Sequence, residues 1–207
     1  MSTSAEVPWT PSAERHELGA ALRRLLDVVV QTAAPPAELR AAATAVDELT
    51  ARLARPTFNA GTSVAAGSYR DQMSLVGGTS HPVAPQLRMT RHGADQADGV
   101  VVIGPLFQGG PGLVHGGILA LLIDHAMGHV AAGPERPAMT ARLGLRFRRP
   151  TPLGVPLTVS VRLDRIEGRK LHLSGTIAVD GEVTVEAEAI FLTLTDENLE
   201  TVFGGVS

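Results

Sequence analysis

The chain contains no cysteine among its 207 residues. Disulfides, thiolate metal sites and a cysteine nucleophile are therefore excluded, and the redox compartment is left open. Aromatic residues are only 3 % of the composition, so the core must be built from Leu, Val, Ile and Ala. No run approaches the roughly 18 apolar residues of a membrane span, and residues 1–15 hold no signal-like apolar stretch. A soluble cytoplasmic protein is the expectation, with no membrane partner. The formal net charge is −3, so bulk charge gives no support for a nucleic-acid partner. What the chain does have is apolar residues, 44 % of the total, enough for a sizeable core.

Three segments differ in pattern. Residues 1–56 carry two runs at helical spacing, Leu18, Leu22, Leu25, Leu26 and Val29, then Leu39, Ala42, Val46, Leu49 and Leu53. They are separated by Pro35-Pro36, which predicts a helical hairpin sharing one apolar seam. Residues 57–80, rich in Gly, Ser and Thr, read as a connecting or lid segment. Residues 81–200 form the main domain. In it, segments 86–91 and 99–106 read as strands, followed by one long apolar helix. The period then switches from helical to twofold. Met139, Ala141, Leu143, Leu145 and Phe147 alternate with polar residues, which places Thr140 and Arg142 together on the polar face. Leu157, Val159, Val161 and Leu163 alternate likewise, as do Leu171, Leu173, Ile177 and Val179. An Asp180-Gly181 hairpin signal separates these from Val183, Val185, Ala187, Ala189 and Phe191. Short links between such strands imply an antiparallel sheet with one buried face. The predicted fold is α+β: a curved antiparallel sheet wrapped around one buried helix, in the outline of a hotdog fold.

The most informative stretch is residues 109–128, where a glycine-rich loop opens that apolar helix and a single carboxylate, Asp124, sits in its middle. A helix that is hydrophobic all round is normally buried, and a buried carboxylate is costly without a partner. Chemistry or a structural hydrogen bond must justify Asp124. His125 and His129 lie close by, but Asp124 and His129 are about 140° apart around a helix, and no third ligand stands at metal-binding spacing. No metal is expected, and both histidines read as packing or interface residues.

Gly-Pro-Gly-Leu-Val-His-Gly-Gly (110–117) followed by Ile-Leu-Ala-Leu-Leu-Ile-Asp (118–124) resembles the signature of hotdog-fold acyl-CoA thioesterases of the phenylacetate-pathway (PaaI-like) type. Residues 139–143 and 149–154 are similar to that family's next strand and turn, and His81-Pro82-Val83-Ala84-Pro85 to the entry into its first strand. The likeness spans roughly residues 80–196, leaving the helical hairpin outside. It implies hydrolysis of an acyl-CoA to a free acid and coenzyme A, with no cofactor beyond the coenzyme A of the substrate. It also implies roles. Asp124 is base or nucleophile, Gly116 or Gly117 supplies the oxyanion amide, and Thr140 places water or substrate. His115 is a helix-start residue or one that orients the oxyanion loop. Many members carry an amide side chain in the loop before His-Gly-Gly. Here Gly109 and Gly110 stand there, with Gln108 the nearest amide.

Within that reading, helix geometry has a consequence. Gly116 and Asp124 are eight residues apart on one helix, about 12 Å. That is too far to serve one carbonyl. Two antiparallel copies would bring one subunit's glycines to the other's aspartate, so the enzyme is expected to be a homodimer, open to pairing as a dimer of dimers. Arg148 and Arg149, together with Arg146, Arg165, Arg169 and Lys170, are candidates to hold coenzyme A phosphates, or are ordinary solvated charges. Two other functions remain open. One is a non-catalytic acyl-binding dimer. The other is a hotdog enoyl-thioester hydratase or dehydratase, disfavoured because no histidine ahead of the glycine loop stands in the setting such enzymes use and because Asp124 and His129 point apart.

Overall fold

A computed structural model describes residues 12–54, 72–132 and 137–195. Most of the connecting segment at 57–80 lies outside the described residues. The described elements are helices α1 (Ala13–Val29), α2 (Pro36–Leu53) and α3 (Gly116–Ala131) with strands β1 (Arg88–Arg91), β2 (Gln96–Val102), β3 (Ala138–Phe147), β4 (Pro156–Glu167), β5 (Lys170–Val179) and β6 (Glu182–Thr193). The six strands form one sheet in the order β1-β2-β4-β5-β6-β3, with every neighbouring pair antiparallel.

The sheet wraps α3. Leu122, Ile123, Ala126 and Met127 of the helix are fully buried against Leu157, Val159, Ile177 and Val185 of the strands. A helix so largely apolar can contact every strand, because few of its positions must stay wet. Burying such side chains contributes about 1.5–3 kcal/mol each. The β5–β6 turn is the one the Asp-Gly pair announces: Asp180 and Gly181 both have positive φ, 49° and 82°, as a two-residue type I′ turn requires.

Three expectations are corrected. The strand read at 99–106 is shorter: it begins at Gln96 and ends at Val102, and Pro105 starts a 3₁₀ turn, Pro105–Phe107, because proline cannot continue the ladder. The two amino-terminal helices form, but they do not share an apolar seam. Leu39, Val46 and Leu53 of α2 are 46 %, 44 % and 54 % exposed. α1 instead turns Gly19, Leu22, Arg23, Leu26 and Asp27 toward the main domain. A β-carbon on Gly19 would lie 2.4 Å from the carbonyl oxygen of Ser80, so only glycine permits this approach. Arg23 donates to the carbonyls of His81 (2.6 Å) and Thr79 (3.1 Å), and Asp27 accepts from the Leu106 amide (3.4 Å). The third correction concerns β3, whose alternation is interrupted by a bulge between Thr140 and Arg142.

Candidate active site

The bulge decides where Thr140 points. Beyond it, Leu143, Leu145 and Phe147 pair with Ala189, Ala187 and Val185 on the helix side, while Arg142 pairs with Ile190 on the outer side. The extra residue, Ala141, shifts the register by one, so Thr140 pairs with buried Phe191 and leaves the face of Arg142. Its hydroxyl then donates to Asp124 Oδ1 at 2.8 Å. The expected shared polar face of Thr140 and Arg142 is thus overturned, and the hydroxyl meets the carboxylate instead. Asp124 itself is half-buried rather than enclosed. It lies on the stripe Gly117, Leu121, Asp124, Gly128, none of which is fully buried.

The glycine-rich loop is braced before it reaches the helix. The Gly109 amide donates to Leu113 O (2.9 Å), the Leu113 amide to Gly110 O (3.0 Å), and the Gly112 amide to Gln108 Oε1 (3.2 Å). A β-carbon on Gly109 would lie 2.9 Å from His115 Cα, so this glycine serves a close backbone approach. The His115 amide donates to Phe107 O (2.9 Å), tying the helix entrance to the 3₁₀ turn that Asp27 of α1 holds.

His115 is the N-cap of α3, and its Nδ1 accepts from the Gly117 amide at 3.0 Å. That cap uses one of the two candidate oxyanion donors. The Gly116 amide has no acceptor among the described residues, and it lies at the positive end of the helix dipole. Gly116 and Asp124 stay on one straight element, so a single protomer does not bring them together.

The candidate phosphate ligands are dispersed. Arg148 Nε and Nη2 donate to Glu186 (2.9 and 2.7 Å), and Arg149 pairs with Glu182. Arg169 Nε donates to Thr193 O (3.1 Å). Arg146 and Arg165 line a depression of about 700 Å³ on the outer face of the sheet, with Arg142 and Arg162. Next to Asp124, burial holds His125 below the usual histidine range, helped by His129 and opposed by Asp124. Burial and then Arg91 do the same to His129. Arg91 donates to the carbonyls of His129, Val130 and Ala132 and so closes the carboxyl end of α3. Among the described residues no group of three His, Asp or Glu is placed to hold a metal ion.

A family model described as thioesterase superfamily matches residues 111–186. The solved structure of a thioesterase superfamily protein, RHA08564, superposes with a TM-score of 0.77 at 31 % identity, covering 90 % of this chain and 94 % of that one. The chain belongs to the thioesterase superfamily. Its hotdog sheet and central helix are also shared, at a TM-score of 0.50 and 16 % identity, with a Streptococcus mutans protein solved bound to acetyl CoA, over 52 % of this chain and 88 % of that one. Among curated relatives, acyl-coenzyme A thioesterase THEM4 of Bos taurus is 42 % identical over 100 residues, 47 % of this chain and 41 % of that protein. Acyl-coenzyme A thioesterase THEM5 of Homo sapiens is 32 % identical over 93 residues, 44 % of this chain and 38 % of that protein. The chain thus matches about two fifths of the length of these relatives. Within the superfamily match fall Asp124, His115, Gly116, Gly117 and Thr140. The spacing singled out Asp124 and the His-Gly-Gly helix start, and the family resemblance Thr140; neither signalled the bulge, the difference between the Gly116 and Gly117 amides, or Phe147 beside Gly116.

Proposed function

We propose that this protein hydrolyses an acyl-CoA thioester to a free acid and coenzyme A, at two composite sites in a homodimer. The observation that carries the reading is a pair of half-sites at separate points of one helix: a carboxylate at Asp124 that accepts from Thr140, and an amide at Gly116 with no acceptor among the described residues. Neither serves a carbonyl alone. An antiparallel partner helix supplies the missing half to each. β3 is an edge strand with a free side, which offers a partner both a ladder and access to this helix.

Asp124 Oδ1 accepts from Thr140, which leaves Oδ2 to take a proton from water. The water oxygen attacks the thioester carbonyl, and the oxyanion is held by the partner's Gly116 amide at the helix dipole. Collapse expels the coenzyme A thiolate, which recovers the proton from Asp124. The family resemblance also allows Asp124 to attack directly, with water releasing the acyl group afterwards. Kinship with the acyl-coenzyme A thioesterases THEM4 and THEM5 supports the substrate class.

The test is thiol release from a panel of acyl-CoAs. The wild-type protein is expected to turn over at least one of them, and Asp124→Asn to lower kcat by roughly 10²–10⁴-fold while remaining dimeric. Undiminished hydrolysis by Asp124→Asn excludes this mechanism. Binding without turnover by the wild type points to the acyl-binding alternative.

A further inference from the structure

Of the three phenylalanines among the described residues, Phe191 is buried and Phe107 half-buried, but Phe147 is 55 % exposed. It stands at the end of β3, an edge strand of the sheet. Its position is specific. A β-carbon on Gly116 would lie 3.3 Å from Phe147 Cζ and 3.5 Å from Cε1, so the ring rests directly on the glycine whose amide is free. β3 therefore serves both half-sites: Thr140 near its start reaches the carboxylate, and Phe147 at its end covers the oxyanion donor.

We infer that Phe147 is the wall of the substrate channel at the reacting carbonyl and sets how much bulk the acyl α-carbon carries. The inference rests on the thioesterase reading given above. A carbonyl oxygen accepting from the Gly116 amide places its own carbon within about 4 Å of that nitrogen. The groups that meet the ring are then those within a bond or two of the carbonyl. The adenine nucleotide of coenzyme A, at the far end of the pantetheine arm, is out of reach. Between the acyl α-carbon and the thioester sulfur side, an apolar ring matches the hydrocarbon.

The experiment compares wild type, Phe147→Ala and Phe147→Leu on butyryl-CoA, isobutyryl-CoA and the butyryl thioester of N-acetylcysteamine. Oligomeric state and melting temperature are measured for each. The expected result is that Phe147→Ala shifts the kcat/KM ratio of isobutyryl- to butyryl-CoA at least 10-fold toward the branched substrate. Phe147→Leu should shift it less, and the ratio of butyryl-CoA to the cysteamine thioester should stay unchanged in both. Three results overturn the inference: an equal loss on all substrates, a change confined to the thiol portion, or dissociation into monomers by Phe147→Ala. If wild type releases no thiol from any substrate, the thioesterase reading fails first, which separates the two failures.

Discussion

At Thr140 a single hydroxyl links the sheet to the helix carboxylate. A hydrogen bond to a charged group is worth about 1.5–3 kcal/mol. If the transition state uses all of it, Thr140→Val lowers kcat by roughly 10–100-fold, and Thr140→Ser restores most of the rate. Steady-state kinetics of both variants, with melting temperatures as controls, check this; equal rates in wild type and Thr140→Val contradict it. Asp124 was legible because a lone carboxylate in an aliphatic helix breaks the pattern around it. Thr140 was legible only through the family resemblance. Its own alternation placed it beside Arg142, since nothing in Ala141 announces the inserted residue that turns it inward. The division of labour between Gly116 and Gly117 was equally hidden, because it depends on the side-chain cap by His115 rather than on glycine itself.

At the scale of elements, periodicity did its work where one face is buried. β4, β5, β6 and α3 were readable because their apolar residues share a single core, and Asp180-Gly181 is a turn with few alternatives. α1 misled for a physical reason. Its binding face is built from a glycine, an arginine and an aspartate as much as from leucines, and these do not register as apolar periodicity. Gly19→Leu is expected to separate α1 from the main domain, because the new side chain would have to enter the space of the Ser80 backbone. Overpacking of this kind costs about 1–3 kcal/mol, which lowers the melting temperature of a chain this size by roughly 2–12 °C. An unchanged melting temperature would show that α1 is not held there. Because Asp27 also accepts from Leu106, one residue before the carbonyl that holds His115, Asp27→Ala is expected to lower kcat more than it raises KM.

For the whole molecule, three histidines set the acid limit. His81, His125 and His129 are all held below the ordinary histidine value, chiefly by burial. Above about pH 7 they are neutral both folded and unfolded and contribute nothing to pH dependence. As pH falls through about 6.5, the unfolded chain takes up protons that the folded protein resists, so stability declines. The melting temperature should therefore fall between about pH 7.5 and 5.5. His125→Gln should fall less steeply; an equal or steeper fall would show that His125 is not part of the cause. The same whole-molecule view gives the decisive experiment on the composite site. His115 is extended, with φ −61° and ψ 133°, and Gly116 is the first helical residue, so the backbone accepts proline at 116, which removes the amide hydrogen while the exposed Phe147 ring shifts by a few tenths of an ångström. Gly116→Pro and Asp124→Asn homodimers should each be inactive. Unfolded and refolded together in equal amounts, half of the dimers are mixed, and each mixed dimer carries one intact site. The account predicts recovery of about a quarter of wild-type activity. No recovery, in a preparation shown to contain mixed dimers, would contradict it.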